Sequence, residues 1–237
     1  MATCRVEVVC STVEDVVAAA SGGADRIEFC SHLPSGGLTP GRALIEDAWK
    51  EAKSKGLVFR VLIRPREGDF VYSDSERLSM VREAEALMAL GVDKVVTGGL
   101  NAQGGPDDRL LKGLEHAVGL EHVVFHRAID EAVDMPSAAL ALRDAGVRTV
   151  LSSGGAAQAV EGAEGLKYLL AAGLEVVTGA GIQPAHVPSL AMLEVEAVHA
   201  SCRRKVTPAS NARLFDYDRS EVDPAVVAAL VDAVRAL

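Results

Sequence analysis

The sequence predicts an α/β protein of the (β/α)8 TIM-barrel class, one domain spanning residues 1–237. Three observations carry that prediction. Short apolar or β-branched runs alternate with amphipathic stretches along the chain, and eight such runs recur about every 20–35 residues, the repeat of a βα unit. Several runs are entered by a similar phrase: Gly23-Ala24-Asp25-Arg26-Ile27-Glu28 matches Gly91-Val92-Asp93-Lys94-Val95-Val96, with looser versions at Gly146 and Gly173. Each phrase reads as a glycine closing a helix and a strand starting at once. The length of 237 residues also suits one such barrel.

The strands, in order, are read at Val6–Cys10, Arg26–Cys30, Phe59–Arg64, Lys94–Thr97, His122–His126, Thr149–Ser152, Glu175–Thr178 and Ala197–Ser201. Helices fill the gaps. Thr12 suits an N-cap with Asp15 three residues on, and Val13, Val16 and Val17 give the apolar face. Thr39–Pro40 sets a cap and a first-turn proline before a helix over Gly41–Lys55. Ser73 or Ser75 starts a long helix ending near Leu90, and Asp134 and Gln183 precede Pro136 and Pro184 as further helix starts.

Charge and composition narrow the function. Lys plus Arg total 24 against 33 Asp plus Glu, a formal net charge of −9. Such a surface repels polyanions, so neither nucleic acid nor an anionic membrane is an expected partner. No apolar run is long enough to span a bilayer, and Met1–Cys10 has no signal-peptide pattern. A cytoplasmic protein is therefore expected, with Cys4, Cys10, Cys30 and Cys202 as reduced thiols.

Strand parity sorts the polar residues. Apolar positions should cover the helix layer, so their neighbours point into the barrel. This turns Glu7, Glu28, Cys30, Arg64, His126, His199 and Ser201 inward, and Cys10 and Cys202 toward the helices. Ionisable groups in a closed interior are costly unless they pair or work. Strand ends are where barrel enzymes place working groups. The competing reading is an ion-pair network, such as Glu28 with Arg64, that merely fills the barrel.

His126 opens His-Arg-Ala-Ile-Asp, which brings Arg127 and Asp130 to the same rim. A histidine beside a carboxylate can act as acid or base near neutral pH. Glu28, Arg64, His126, Asp130 and His199 are thus the candidate catalytic groups. Arg64 and Arg66, in the loop Arg64–Phe70 after the third strand, could clamp a carboxylate or phosphate with Asp69 as a further substrate contact, or Arg66 could simply pair with Glu67 or Asp69. Gly179 and Gly181, in Thr178-Gly179-Ala180-Gly181-Ile182, and Ser201 after the eighth strand suit a phosphate cup. Ser152-Ser153-Gly154-Gly155 could add donors. A divalent metal at Glu7, Glu28, His126 and His199 is a variant of the same site. Phe70 and Tyr72 read either as a lid or as a homodimer contact.

Several motifs together resemble the CutC family. They are Gly23–Cys30 (GADRIEFC), Gly36–Pro40 (GGLTP), Ile63–Arg66 (IRPR) with Gly68–Phe70 and Tyr72–Asp74, Phe125–Asp130 (FHRAID), Val150–Gly154 (VLSSG), Gly179–Ile182 (GAGI) and Glu196–Ser201 (EAVHAS). The resemblance spans Val6 to Ser201 in order. It implies a TIM barrel, a cytoplasmic location and a role in copper homeostasis, with copper(I) held by cysteines near the ends of the first two strands. Cys30 and Cys10 stand there. Two functions follow: a copper(I)-handling protein, or an enzyme for a small anionic or phosphorylated metabolite.

Overall fold

The computed structural model describes residues 4–206 and 219–237. Eight parallel strands close into a barrel in chain order: β1 (Arg5–Cys10), β2 (Arg26–Phe29), β3 (Val58–Leu62), β4 (Lys94–Thr97), β5 (Val123–Phe125), β6 (Thr149–Ser152), β7 (Glu175–Gly179) and β8 (Ala197–Ala200), with β1 paired to β8. Around it run α1 (Val13–Ser21), α2 (Arg42–Ser54), α3 (Asp74–Leu90), α4 (Asp108–Val118), α5 (Met135–Ala145), α6 (Ala163–Ala171), α7 (Val187–Ala191) and α8 (Pro224–Arg235). A two-stranded antiparallel hairpin, β9 (Arg203–Lys205) with β10 (Ser220–Val222), follows β8. The sequence reading did not foresee it.

Local chemistry explains most element ends. Thr12 accepts the Asp15 N–H, Asp134 accepts the Ser137 N–H, and Ser73 and Glu76 form a reciprocal capping box on α3. One expected cap differs. Gly41 precedes α2, and the Thr39 hydroxyl instead exchanges hydrogen bonds with the backbone of Arg64. Strands β2, β3, β5 and β8 stop one or two residues short of the expected ends, so Cys30, Arg64, His126 and Ser201 sit just past them, on the rim.

Parity holds around the barrel. Val6, Val8, Cys10, Ile27, Phe29, Phe59, Val61, Ile63, Val123, Phe125, Val198, Ala200 and Cys202 pack in the large core between sheet and helices. Val9, Cys30, Leu62, Val96, Val124, Leu151, Val177 and Ala197 form a separate apolar cluster inside the barrel. The register sets Glu7 beside Arg26 on one side and His199 on the other, and Glu28 beside Arg60. The floor of the barrel is therefore ionic, and its mouth lies at the C-terminal strand ends. Among the described residues, no helix is long and apolar enough to cross a membrane.

Candidate functional site

A cavity of about 380 Å³ opens at the C-terminal mouth. Its walls include Glu28 from β2 and Cys30 just after it, Arg64 after β3, His126 and Arg127 after β5, Ala180 and Gly181 after β7, His199 from β8 and Ser201 just after it. The barrel thus gathers into one space side chains that are far apart in the chain.

The floor beneath is closely ion-paired, although neither Arg26 Nε nor Arg60 Nε makes a hydrogen bond. The buried Glu7 carboxylate meets Arg26 Nε at 2.6 Å, Arg60 Nη1 at 2.9 Å and His199 Nδ1 at 2.7 Å. Arg26 also holds Glu196 through two hydrogen bonds. Burial alone would raise the Glu7 pKa, but the two guanidinium groups and His199 bring it well below the ordinary carboxylate range. Arg26 and Arg60 were not foreseen as interior groups. Parity could have found them, since Arg26 lies two residues before Glu28 and Arg60 four before Arg64.

The upper groups are buried but not saturated. Glu28 is 5% exposed, and its Oε2 has no hydrogen-bond partner. Burial pushes its pKa up to about 7, with the Glu7 charge adding to the rise and His199 and the arginines opposing it. Burial would lower His199, yet the Glu28 and Glu7 charges and the Glu7 hydrogen bond leave it raised. One ligand atom each from Glu7, Glu28 and His199 lies within 4.8 Å of the others. Glu7 in that group is already neutralised by two arginines, so the donor set suits a proton-holding cluster better than a divalent metal. His126 does not join the group.

His126 Nδ1 accepts the Ala128 N–H at 3.2 Å, and its Nε2 is buried without a partner. Burial, then the Arg64 charge, lower its pKa to about 3. Arg64 is 7% exposed. Its guanidinium donates to the carbonyls of Ser35, Gly37 and Gly68 and packs on Phe70, 4.9 Å from the ring centroid. Gly37 is needed there: at φ +95° a Cβ would meet Leu62 at 2.7 Å. Among the described residues Arg64 has no carboxylate partner, so the Glu28–Arg64 pair of the competing reading does not form. Its charge is held by dipoles at the cavity wall.

Other expected roles fall differently. The Asp130 carboxylate does not reach His126. It accepts from Ser152 and Ser153 hydroxyls, from the Ser153 and Gly155 N–H groups and from Arg127 Nε at 2.8 Å. The donors expected for a ligand after β6 are thus spent on an internal anion. Arg66 binds Glu76, Asp69 and loop carbonyls, and neither it nor Asp69 lines the mouth cavity. Tyr72 is buried and so forms neither lid nor dimer contact, whereas Phe70 packs on His126 with centroids 5.0 Å apart. At the end of β7, Gly179 lets the chain pass close to His199, where a Cβ would come within 3.0 Å of that ring. Ala180 and Gly181 then take φ +93° and +69° at the cavity wall.

The cysteines do not pair across a copper site. Cys30 lies on the cavity wall, but Cys10 points to the opposite face of the sheet. Burial raises both thiols well above their ordinary pKa, which disfavours the thiolate a soft metal needs. Among the described residues, the one gathered group of three or more His, Cys, Asp or Glu contains no sulfur. A two-thiolate copper(I) site does not fit this arrangement.

Fold and site define a (β/α)8 barrel whose buried ionisable groups face a small cavity at the C-terminal mouth. Residues 4–204 match the model of the CutC family, and the chain belongs to that family. A CutC family protein of Agrobacterium fabrum is 39% identical over 202 residues, 83% of this chain and 78% of that one. One from Chromobacterium violaceum is 35% identical and covers 97% of each chain. Among solved structures, a Streptococcus agalactiae CutC assigned to copper homeostasis matches with a TM-score of 0.78 and 25% identity, covering 84% of this chain and 98% of that one. A phosphoribosyl anthranilate isomerase from Thermus thermophilus matches with a TM-score of 0.60 at 17% identity over 98% of each chain, and shows the fold alone.

Proposed function

We propose that this protein is an enzyme of a small anionic metabolite, working by acid–base chemistry at the mouth of the barrel. One observation carries the reading: Glu28 and His126 line one cavity, and each keeps a buried polar atom, Oε2 and Nε2, without a protein partner. Orphaned buried polar atoms cost about 1–3 kcal/mol each, a cost that a bound ligand would offset. Glu28 and His199 hold the mobile proton. Arg64 supplies fixed positive charge, and the turn through Ala180 and Gly181 with Ser201 forms the anion cup. The ligand is a small molecule, and the setting is the cytoplasm.

A screen of phosphate and carboxylate metabolites by thermal shift tests the reading. Binders should raise the Tm of the wild type, and Ser201→Asp, which puts a negative charge at the cup, should abolish the shift. If no compound binds, the reading is lost.

Copper(I) binding is the second reading, favoured by family membership and by the Cys30 thiol on the cavity wall. Competition against a copper(I) chelator tests it. Tight one-to-one binding lost in Cys30→Ala would support it, and wild-type protein that takes no copper would sink it.

A further inference from the structure

We infer that the ligand has two parts, and that the second is an uncharged apolar group seated in a further cavity between the loops after β3, β4 and β5. The inference rests on the enzyme reading and names its substrate class: a small anionic metabolite extended by an apolar group.

The second cavity has a volume of about 700 Å³ and adjoins the mouth. Gly36, Arg64, Phe70 and Arg127 border both spaces. The Arg64 guanidinium lies over the Phe70 ring, and this stacked pair is the sill between them. A ligand held at the mouth meets the second space directly across that sill.

The second space is preformed and apolar. The Leu100 N–H donates to the Phe70 carbonyl at 2.8 Å, tying the loop after β4 to the loop after β3. The Val133 N–H donates to the Gly104 carbonyl at 3.1 Å, tying the loop after β4 to the loop after β5. Asn101 spends its amide inside its own loop, on the Pro106 carbonyl and the N–H groups of Gln103 and Gly105. Loops fastened in this way cannot collapse to cover the side chains they present. Val71 and Val133 are 42% and 83% exposed, and Phe70, Leu100 and Ala102 extend the same lining. Apolar surface held open to water is stabilised when an apolar group covers it.

Charge selects against a second anion. Both guanidinium groups of the lining are occupied, Arg64 by the carbonyls of Ser35, Gly37 and Gly68, and Arg127 by Asp130 and the Ser153 hydroxyl. Asp69 is likewise taken by Arg66 and the Val71 N–H. Glu131 is exposed on the same lining, and among the described residues its carboxylate has no ion-pair partner. A phosphate or carboxylate there would face that charge with no free cation to meet it. A cationic group would gain little from a carboxylate so open to solvent. Burial of an uncharged apolar group is the larger effect.

Calorimetry with a series of phosphate monoesters tests this. The series is methyl phosphate, then phenyl, 2-phenylethyl and 4-phenylbutyl phosphate, whose lengthening chains carry the ring outward from the mouth. At least one ring-bearing ester should bind the wild type about tenfold tighter than methyl phosphate does. Tenfold is about 1.4 kcal/mol, the effect of removing roughly 60 Å² of apolar surface from water. The double substitution Val71→Asp with Val133→Asp, at two exposed positions, should erase that ratio while methyl phosphate still binds. 4-Carboxybutyl phosphate, with an anion in place of the ring, should show no such gain. The inference is overturned if methyl phosphate binds and no ring-bearing ester improves on it. It is equally overturned by a gain that survives the double substitution, or by an equal gain from 4-carboxybutyl phosphate. Each of these results leaves the anion site at the mouth standing. If no ester of the series binds, the anion-binding reading falls and the inference falls with it.

Discussion

The floor and the mouth of this barrel are equally buried and chemically opposite. On the floor, Glu7 is surrounded by Arg26, Arg60 and His199, and Arg26 reaches on to Glu196. At the mouth, Glu28 and His126 keep atoms without partners, and Arg64 is held by carbonyls alone. A paired interior charge maintains a structure; an unpaired one is retained at a cost. The contrast separates the paired charges of the floor from the open ones beside the cavity, although Glu7, Glu28, Arg64 and His126 all came from one list of inward polar residues.

The largest test of that contrast is Glu7→Gln. Removing the floor's anion leaves two buried guanidinium groups uncompensated, and a loss of about 3–5 kcal/mol in stability is expected by denaturant unfolding. The matching change at the mouth should do the reverse. Glu28 has its folded pKa raised from 4.5 to about 7, so its contribution is most favourable below 4.5 and is lost as pH rises through 7. Glu28→Gln should therefore be more stable than wild type at pH 8, by on the order of 3 kcal/mol, with the gap closing toward pH 4.5. A Glu28 variant as damaging as the Glu7 variant would erase the distinction between the two layers.

Smaller effects sharpen it. Asp130→Ala empties the internal carboxylate that organises the loop after β6, and about 2 kcal/mol of destabilisation is expected by denaturant unfolding. Arg66→Ala breaks a half-exposed loop network outside the cavity. It should cost under about 1 kcal/mol and leave the thermal shift by any anionic ligand intact.

The site was legible where strand alternation applied. Ile27, Ile63, Phe125 and Val198 mark the outer face, and their neighbours Glu28, Arg64, His126 and His199 do line the cavity. The same alternation turned Cys10 away from Cys30, as the two hydrophobic clusters show. It said nothing of partners. Asp130 and His126 are four residues apart, yet the turn between them sends the carboxylate to Ser152 and Ser153 of the next loop. Arg66 looked like a clamp because guanidinium groups bind anions, but Glu76 on α3 reaches it first, at 2.6 Å.

By itself the sequence determined the barrel, the order of its strands and the inward or outward sense of the side chains that alternation sorted, because these follow from short-range periodicity and helix caps. Only the tertiary structure decided which inward charges are neutralised and which are left open. That depends on register between strands distant in the chain: pairing Glu7 with both Arg26 and His199 spends one carboxylate on the floor and leaves the other, Glu28, facing the cavity.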